Sequence, residues 1–276
     1  YTTDTGDIGT NLAIPVNEFD RITFNLDLNR TNVKTNAYSP VQILDYIRYY
    51  TKDPLKTNYA FDYIPVAVGY VHDTLNRAMF PTEGGAQRIQ VMATPPVFGS
   101  GSVAFFKASA KTQHFFPLAK DLTLQLAAEA AYGDGFNGAP ALPFWENFFA
   151  GGPQSMRGFF PSSLGPKTIS NQVGQGGLLS LGGSSKIVMQ AEILSPLPFM
   201  EDSKSIRIGA FFDVGNVYCN AFQVPGPKGY VSAANGNPSD GLCYAPVKGD
   251  FLRYSPGILA RWISPFGAIG FSVARP

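Results

Sequence analysis

Apolar and polar residues alternate strictly along much of this chain. In Asp121–Tyr132 the polar positions are Asp121, Thr123, Gln125 and Glu129, and the positions between them are Leu122, Leu124, Leu126, Ala128 and Ala130. Arg21–Asn29 places Arg21, Thr23, Asn25, Asp27 and Asn29 on one face and Ile22, Phe24, Leu26 and Leu28 on the other. Lys186, Gln190 and Glu192 oppose Ile187, Met189, Ala191 and Ile193. In Ile206–Val214 the even face is Ile206, Ile208, Ala210, Phe212 and Val214, and the odd face carries Arg207 and Asp213. Successive side chains of a strand point to opposite faces, so a period of two predicts strands with one polar and one apolar side. Ten strands are predicted, at 6–16, 20–31, 61–73, 87–97, 102–115, 121–133, 186–198, 205–218, 253–264 and 266–275.

Strand length decides the class. Most of these segments run about 10–13 residues, against about 5–6 in soluble sheets and about 9–11 for a tilted strand that crosses a bilayer. The connections at 17–19, 117–120, 199–204 and 264–265 are short, and those at 31–60, 134–185 and 220–251 are long. The two kinds fall at opposite ends of successive strands, as in outer-membrane barrels with short periplasmic turns and long external loops. The connections at 74–86 and 99–101 depart from this pattern. The expected fold is therefore all-β, an antiparallel transmembrane β-barrel, with a large soluble β-sandwich as the alternative. Within the first long loop, the segment from Val41 to Tyr50 predicts a short surface helix.

Composition agrees. Charged residues make up 15% of the chain, against about 25% in a typical soluble domain. Aromatic residues reach 13%, and 29 Gly and 22 Pro mark many turns. The net charge of +1 gives no basic footprint for nucleic acid. No apolar run reaches the roughly 18 residues of a transmembrane helix. His72 and His114 stand apart from any ligand set, so no metal, cofactor or acid–base role is assigned to them. Gly133, Gly135 and Gly138 are followed by no Lys-Ser/Thr pair, so they make no phosphate loop. Asp134 and Glu146 form no evident catalytic pair, and Phe144, Trp145, Phe148 and Phe149 are expected to pack the base of a loop. No catalytic residue is expected, and the chain reads as a non-enzyme.

The segment Tyr132–Phe159 reads YGDGFNGAPALPFWENFFAGGPQSMRGF. It resembles the signature of the BamA family of outer-membrane protein assembly factors: Tyr-Gly-Asp-Gly, then Pro-Phe-x-Glu-Asn-Phe, Gly-Gly and Arg-Gly-Phe. Further blocks that resemble the family are Pro15-Val-Asn-Glu-Phe19, Phe80-Pro-Thr-Glu-Gly84, Leu164-Gly-Pro166, Phe212-Asp-Val-Gly215 and Trp262-Ile-Ser-Pro-Phe-Gly267. In order and spacing they cover nearly the whole chain. The resemblance implies the C-terminal barrel domain of a sixteen-stranded protein, entered near its sixth strand and left after its fifteenth. Residues 1–276 would then lack the POTRA domains, the first strands and the closing strand. It further implies the outer membrane of a Gram-negative bacterium, with unfolded outer-membrane proteins, assembly-machinery lipoproteins and outer-membrane lipid as partners. A passive diffusion porin, or a secretion pore of the same superfamily, is the alternative.

The resemblance also implies that the loop motif Gly151, Gly152, Arg157, Gly158 and Phe159 folds back into the lumen, where Arg157 meets the wall. The residues give a separate reason. With a turn centred on Asp202-Ser203, Glu192 and Asp213 face each other on the polar side of a hairpin. Like charges directly opposite destabilise a strand pair. A guanidinium between them removes the repulsion and fills several acceptors.

Cys219 and Cys243 fall in or beside a polar long loop on the side read as external, an oxidising surface. Two free thiols are the plain alternative to a disulfide. A bond between them closes a loop of about 25 residues, worth roughly 3–4 kcal/mol by chain entropy. Peptide mapping of the non-reduced protein is expected to find the two cysteines linked; full alkylation of both without reductant would refute the pairing.

Overall fold

The structure, a computed structural model, describes residues 1–36, 39–53, 55–97, 103–139, 141–169, 178–197, 205–218 and 252–276. Cys219 and Cys243 lie outside them. One antiparallel sheet of eleven strands dominates these residues. Its path is β1 (Thr2–Pro15), β2 (Asp20–Lys34), β4 (Val66–Asp73), β5 (Gly84–Ala93), β6 (Phe105–Ala119), β7 (Leu122–Gly135), β10 (Ser185–Pro196), β11 (Ile206–Tyr218), β12 (Arg253–Ser264) and β13 (Gly267–Ala274). β3 (Asn58–Tyr63) pairs with β2 beside this path, and β8 (Lys167–Ile169) with β9 (Leu178–Ser180) forms a small separate ladder. The sheet does not close on itself: β1 and β13 are its two ends. Among the described residues no helix is long and apolar enough to cross a membrane, which leaves crossing by strands open.

The registers carry the alternation from strand to strand. Leu26 pairs with Val66, Val68 with Val91, Ile193 with Ala210 and Ala210 with Ile258. This face is apolar and bare, with Phe212 48% and Ile258 65% exposed. The opposite face carries Lys107, Lys111, Gln125, Glu129, Gln190, Glu192, Arg207, Asp213 and Arg261, and the packed clusters lie on that side. Apolar outside and polar inside is the arrangement of a membrane barrel wall.

Three details differ from the sequence expectation. The strand expected at 61–73 is broken at Ile64-Pro65. β3 pairs with the outer part of β2 and β4 with the inner part, and the Asp27 amide donates to the Pro65 carbonyl at 3.1 Å. Proline has no amide to give the ladder, so the strand steps aside there. β6, expected to end at 115, runs on to Ala119 through Pro117, with a register shift between Pro117 and Ala119. A bulge absorbs that proline. The predicted helix forms as α1 (Val41–Thr51) but is no free surface helix. Ile43, Tyr46 and Ile47 are fully buried against Val33, Phe61, Tyr63, Phe105, Leu142 and Phe144. The result is a dry cap at the long-loop end: burial raises the Tyr46 hydroxyl pKa well above its ordinary value and pushes that of Tyr50 up to about 12.

At the other end, the connection 74–83 tucks under the sheet. Phe80 adopts φ 49°, a left-handed conformation costly for an aromatic residue. Its ring lies 5.8 Å from the Arg207 guanidinium. A cavity of about 310 Å³ separates this turn from Phe115, Leu194, Arg207 and Arg261.

Ala210 is exposed on the apolar face of β11 between Ile208 and Phe212. Ala210→Arg is expected to destabilise the barrel by roughly 2–4 kcal/mol if the site lies at bilayer mid-depth, whereas Ala210→Leu is expected to be tolerated. Urea titration of the protein folded into vesicles measures both, and equal stability for the two would reverse the assigned faces.

Candidate functional site: the arginine loop on the lumen wall

The described part of the long connection between β7 and β10 is rich in tight turns. Phe148 and Gly183 exchange backbone hydrogen bonds at 2.8 and 2.9 Å, so the loop leaves and returns at one place. Gly151 and Gly152 take φ 114° and 90°, which a residue with a Cβ rarely adopts. They reverse the chain so that the Gly152 amide donates to the Phe159 carbonyl at 3.0 Å and the Leu164 amide to the Ala150 carbonyl at 3.1 Å. Gly158, at φ 85°, passes close to the wall: a Cβ there would lie 2.6 Å from Ser255 Oγ on β12. Met156 is fully buried with Ala150, Leu164, Val188 and Val217, and Phe159 packs against this group.

Arg157 is held at the tip. Its Nε donates to Asp213 Oδ2 at 2.8 Å and its Nη2 to Asp213 Oδ1 at 2.5 Å. Nη1 donates to Glu192 Oε1 at 2.5 Å, and the Arg157 backbone amide adds a bond to Asp213 Oδ2 at 3.0 Å. The guanidinium carbon lies 3.6 Å from the centre of the Phe211 ring. Arg157 is 5% exposed, Glu192 3% and Asp213 0%. Burial works against the cation, but hydrogen bonds and charge from Asp213 and Glu192 outweigh it, and the Arg157 pKa is raised.

The structure thus brings Arg157, Glu192 and Asp213 together, but not by the expected register. Asp213 pairs with Gln190 and Glu192 with Phe211, so the two carboxylates are diagonal and not opposite. The ladder pairs Pro196 with Arg207, which moves the hairpin centre by one residue from the assumed turn. The shift leaves every side chain on its face. It places Phe211 between the carboxylates, as the platform on which the guanidinium lies. The ring is accommodated because its partner on β12 is Gly257, where a Cβ would collide with Phe211.

Sequence reasoning missed four contributors. Gln190 donates from Nε2 to the Ser155 carbonyl at 2.8 Å and fixes the loop from its other side. Phe211 and Val188 break the polar pattern of the lumen face, and that break marks where the loop sits. Arg261 on β12 donates from Nη2 to Glu192 Oε1 at 2.9 Å and stands 2.7 Å from Oε2, so Glu192 serves two arginines. Arg261 also faces Arg207 directly across the ladder. Beyond the site, Glu129 links Lys111 and Lys186 across three strands, and Glu146 holds Lys107 at 2.9 Å and accepts from the Tyr63 hydroxyl at 3.2 Å. His72 bonds Asp20 at 2.7 Å, and the His114 ring lies 4.4 Å from that of Phe116.

The Omp85 superfamily domain matches residues 1–276. This chain belongs to the Omp85 superfamily. Within it, the chain is similar to outer membrane protein assembly factor BamA of Neisseria meningitidis serogroup B, with 30% identity over 281 residues, covering 100% of this chain and 34% of that protein. It is also similar to the sorting and assembly machinery component 50 homolog of Homo sapiens, at 26% identity over 173 residues, 58% of this chain and 33% of that protein. Among solved structures, BamA from Haemophilus ducreyi lacking POTRA domains 1–3 superposes with a TM-score of 0.80 at 23% identity, over 99% of this chain and 51% of that one. This Omp85 chain therefore spans about a third of the length of the curated relatives and about half of that solved chain.

Arg157→Ala takes from Asp213 the guanidinium that balances it and leaves Glu192 to Arg261, a change that costs on the order of 3–5 kcal/mol in buried pairs. Arg157→Lys keeps the charge but not the planar fork, and is expected to recover less than half of the loss. Hydrogen–deuterium exchange at the amides of 150–164 is the measure; unchanged protection in Arg157→Ala would show that the ion pairs do not hold the loop.

Proposed function

We propose that this chain is wall and lumen loop of a machine that folds and inserts β-barrel proteins into the outer membrane. The observation that carries the reading is the whole-chain similarity to a protein named as an outer membrane protein assembly factor. The similarity to a sorting and assembly machinery component points the same way. On this reading its substrates are unfolded outer-membrane proteins, it works within an assembly complex that includes lipoproteins, and the membrane is the outer membrane of a Gram-negative bacterium. The chain itself is proposed to make and break no covalent bond: its contribution is a sheet that templates strands in lipid.

The geometry disfavours a diffusion porin. A porin needs a lumen open along its length, whereas here the loop segment 150–164 is held on the lumen wall by Arg157, and the 74–83 turn fills part of the opposite end. A loop held by four hydrogen-bond donors on two buried carboxylates is built to stay, or to be released by a specific event.

The test is reconstitution of the whole protein in vesicles, followed by addition of a urea-unfolded outer-membrane β-barrel protein. Folding is read by the heat-dependent shift in electrophoretic mobility. The substrate is expected to fold severalfold faster than in protein-free vesicles, with most of the gain lost in Arg157→Ala. Equal rates with and without the protein would remove the insertion reading, and steady high conductance without substrate would favour a pore.

A further inference from the structure

We infer that Arg261 is a resident counter-ion that competes with Arg157 for Glu192, and so eases release of the loop from the barrel wall. Three observations on the lumen face carry this. First, the two carboxylates are served unequally. Among the described residues Asp213 is bonded by Arg157 alone, through its backbone amide, Nε and Nη2. Glu192 is bonded by Arg157 Nη1 and also by Arg261 Nη2. Secondly, the two cations differ in origin. Arg157 rides on a loop that can leave, whereas Arg261 is fixed in β12 and its Nη1 lies 3.4 Å from Gln125 Oε1. Thirdly, Arg207 stands directly opposite Arg261 in the ladder, and like charges in that position repel. That repulsion favours the place of Arg261 beside Glu192.

The consequence concerns the undocked state. Glu192 is 3% exposed. With Arg157 gone and no other cation near, it is a buried unpaired charge, the condition that makes breaking such pairs costly. Arg261 stays behind and neutralises it. In the docked state the same residue weakens the grip of Arg157, because one carboxylate is shared and two guanidiniums lie close together. Both effects act in one direction: they bring the docked and undocked states closer in energy. A residue that only braced the wall would do the reverse, and its loss would loosen the loop.

The inference concerns loop docking and does not rest on the insertion reading. The experiment is correspondingly run without substrate. Met156, fully buried next to Arg157, is replaced by cysteine in a background with Cys219→Ser and Cys243→Ser, and the whole protein is reconstituted in vesicles. The thiol reacts with a soluble maleimide when the loop opens, so the labelling rate reports the open population. Arg261→Gln is expected to slow labelling about tenfold, equivalent to ~1.4 kcal/mol. With Glu192→Gln present as well, the effect of Arg261→Gln is expected to shrink to under about threefold, since only repulsion between the arginines remains. Arg261→Lys, which keeps the cation, is expected to return the rate towards that of the parent. Gln125→Glu, which offers Arg261 a carboxylate of its own, is expected to slow labelling too, and it serves where Arg261→Gln fails to give a folded, heat-shifting barrel. Unchanged or faster labelling in folded Arg261→Gln or in Gln125→Glu overturns the proposal.

Discussion

Asp213 has no solvent contact, and the charge that balances it arrives from a loop 56 residues earlier in sequence. A carboxylate in that position is tolerable only when paired and fully hydrogen-bonded. The wall and the loop therefore require each other. The turn glycines 151 and 152 bring Arg157 to the wall, Gly158 lets the backbone pass against β12, and Gly257 opens the space in which Phe211 lies flat. Each of these features is costly alone, through lost side-chain packing or backbone freedom. They make sense as support for one guanidinium placed to within hydrogen-bonding distance of two acids.

The same site explains where the lumen face stops being polar. Val188 and Val217 pack under Met156 and Phe159, and Leu194, Phe211 and Leu259 pack together below them. On a water-filled wall these side chains have no purpose. Under a docked loop they exclude water around the ion pairs, lowering the local dielectric and strengthening every charge–charge contact. The polar ladder Lys186–Glu129–Lys111, further from the loop, remains an ordinary half-wet network of the kind that contributes little per pair.

Much of this was legible in the sequence. Period-two alternation located the strands of the sheet path and assigned their faces, because the lipid side of each strand stays apolar, but it ran β3 and β4 together as one. The meeting of Arg157 with Glu192 and Asp213 was also legible, although the argument assumed a register one residue pair away from the real one. Face depends only on parity, which survived the error; the identity of the residue between the acids does not, and so Phe211 was missed. Arg261 was hidden for another reason. Its contact with Glu192 spans 69 residues and two ladders, and nothing local distinguishes it from any lumen-facing arginine. Pro65 lies inside the strand expected at 61–73 and Pro117 opens the turn expected at 117–120, yet one sets a break and the other a bulge, since the ladder must route around a missing donor.

The break at Pro65 divides one crossing into two parts with different attachments. β4 is held on both sides, by β2 and β5, whereas among the described residues β3 pairs in the sheet with β2 alone. Phe61 and Tyr63, which carry the floor of the α1 cap, lie on the singly held part. The floor of the cap and the crossing below it are therefore separate pieces of one chain segment, joined side by side through β2 and end to end only across Ile64-Pro65.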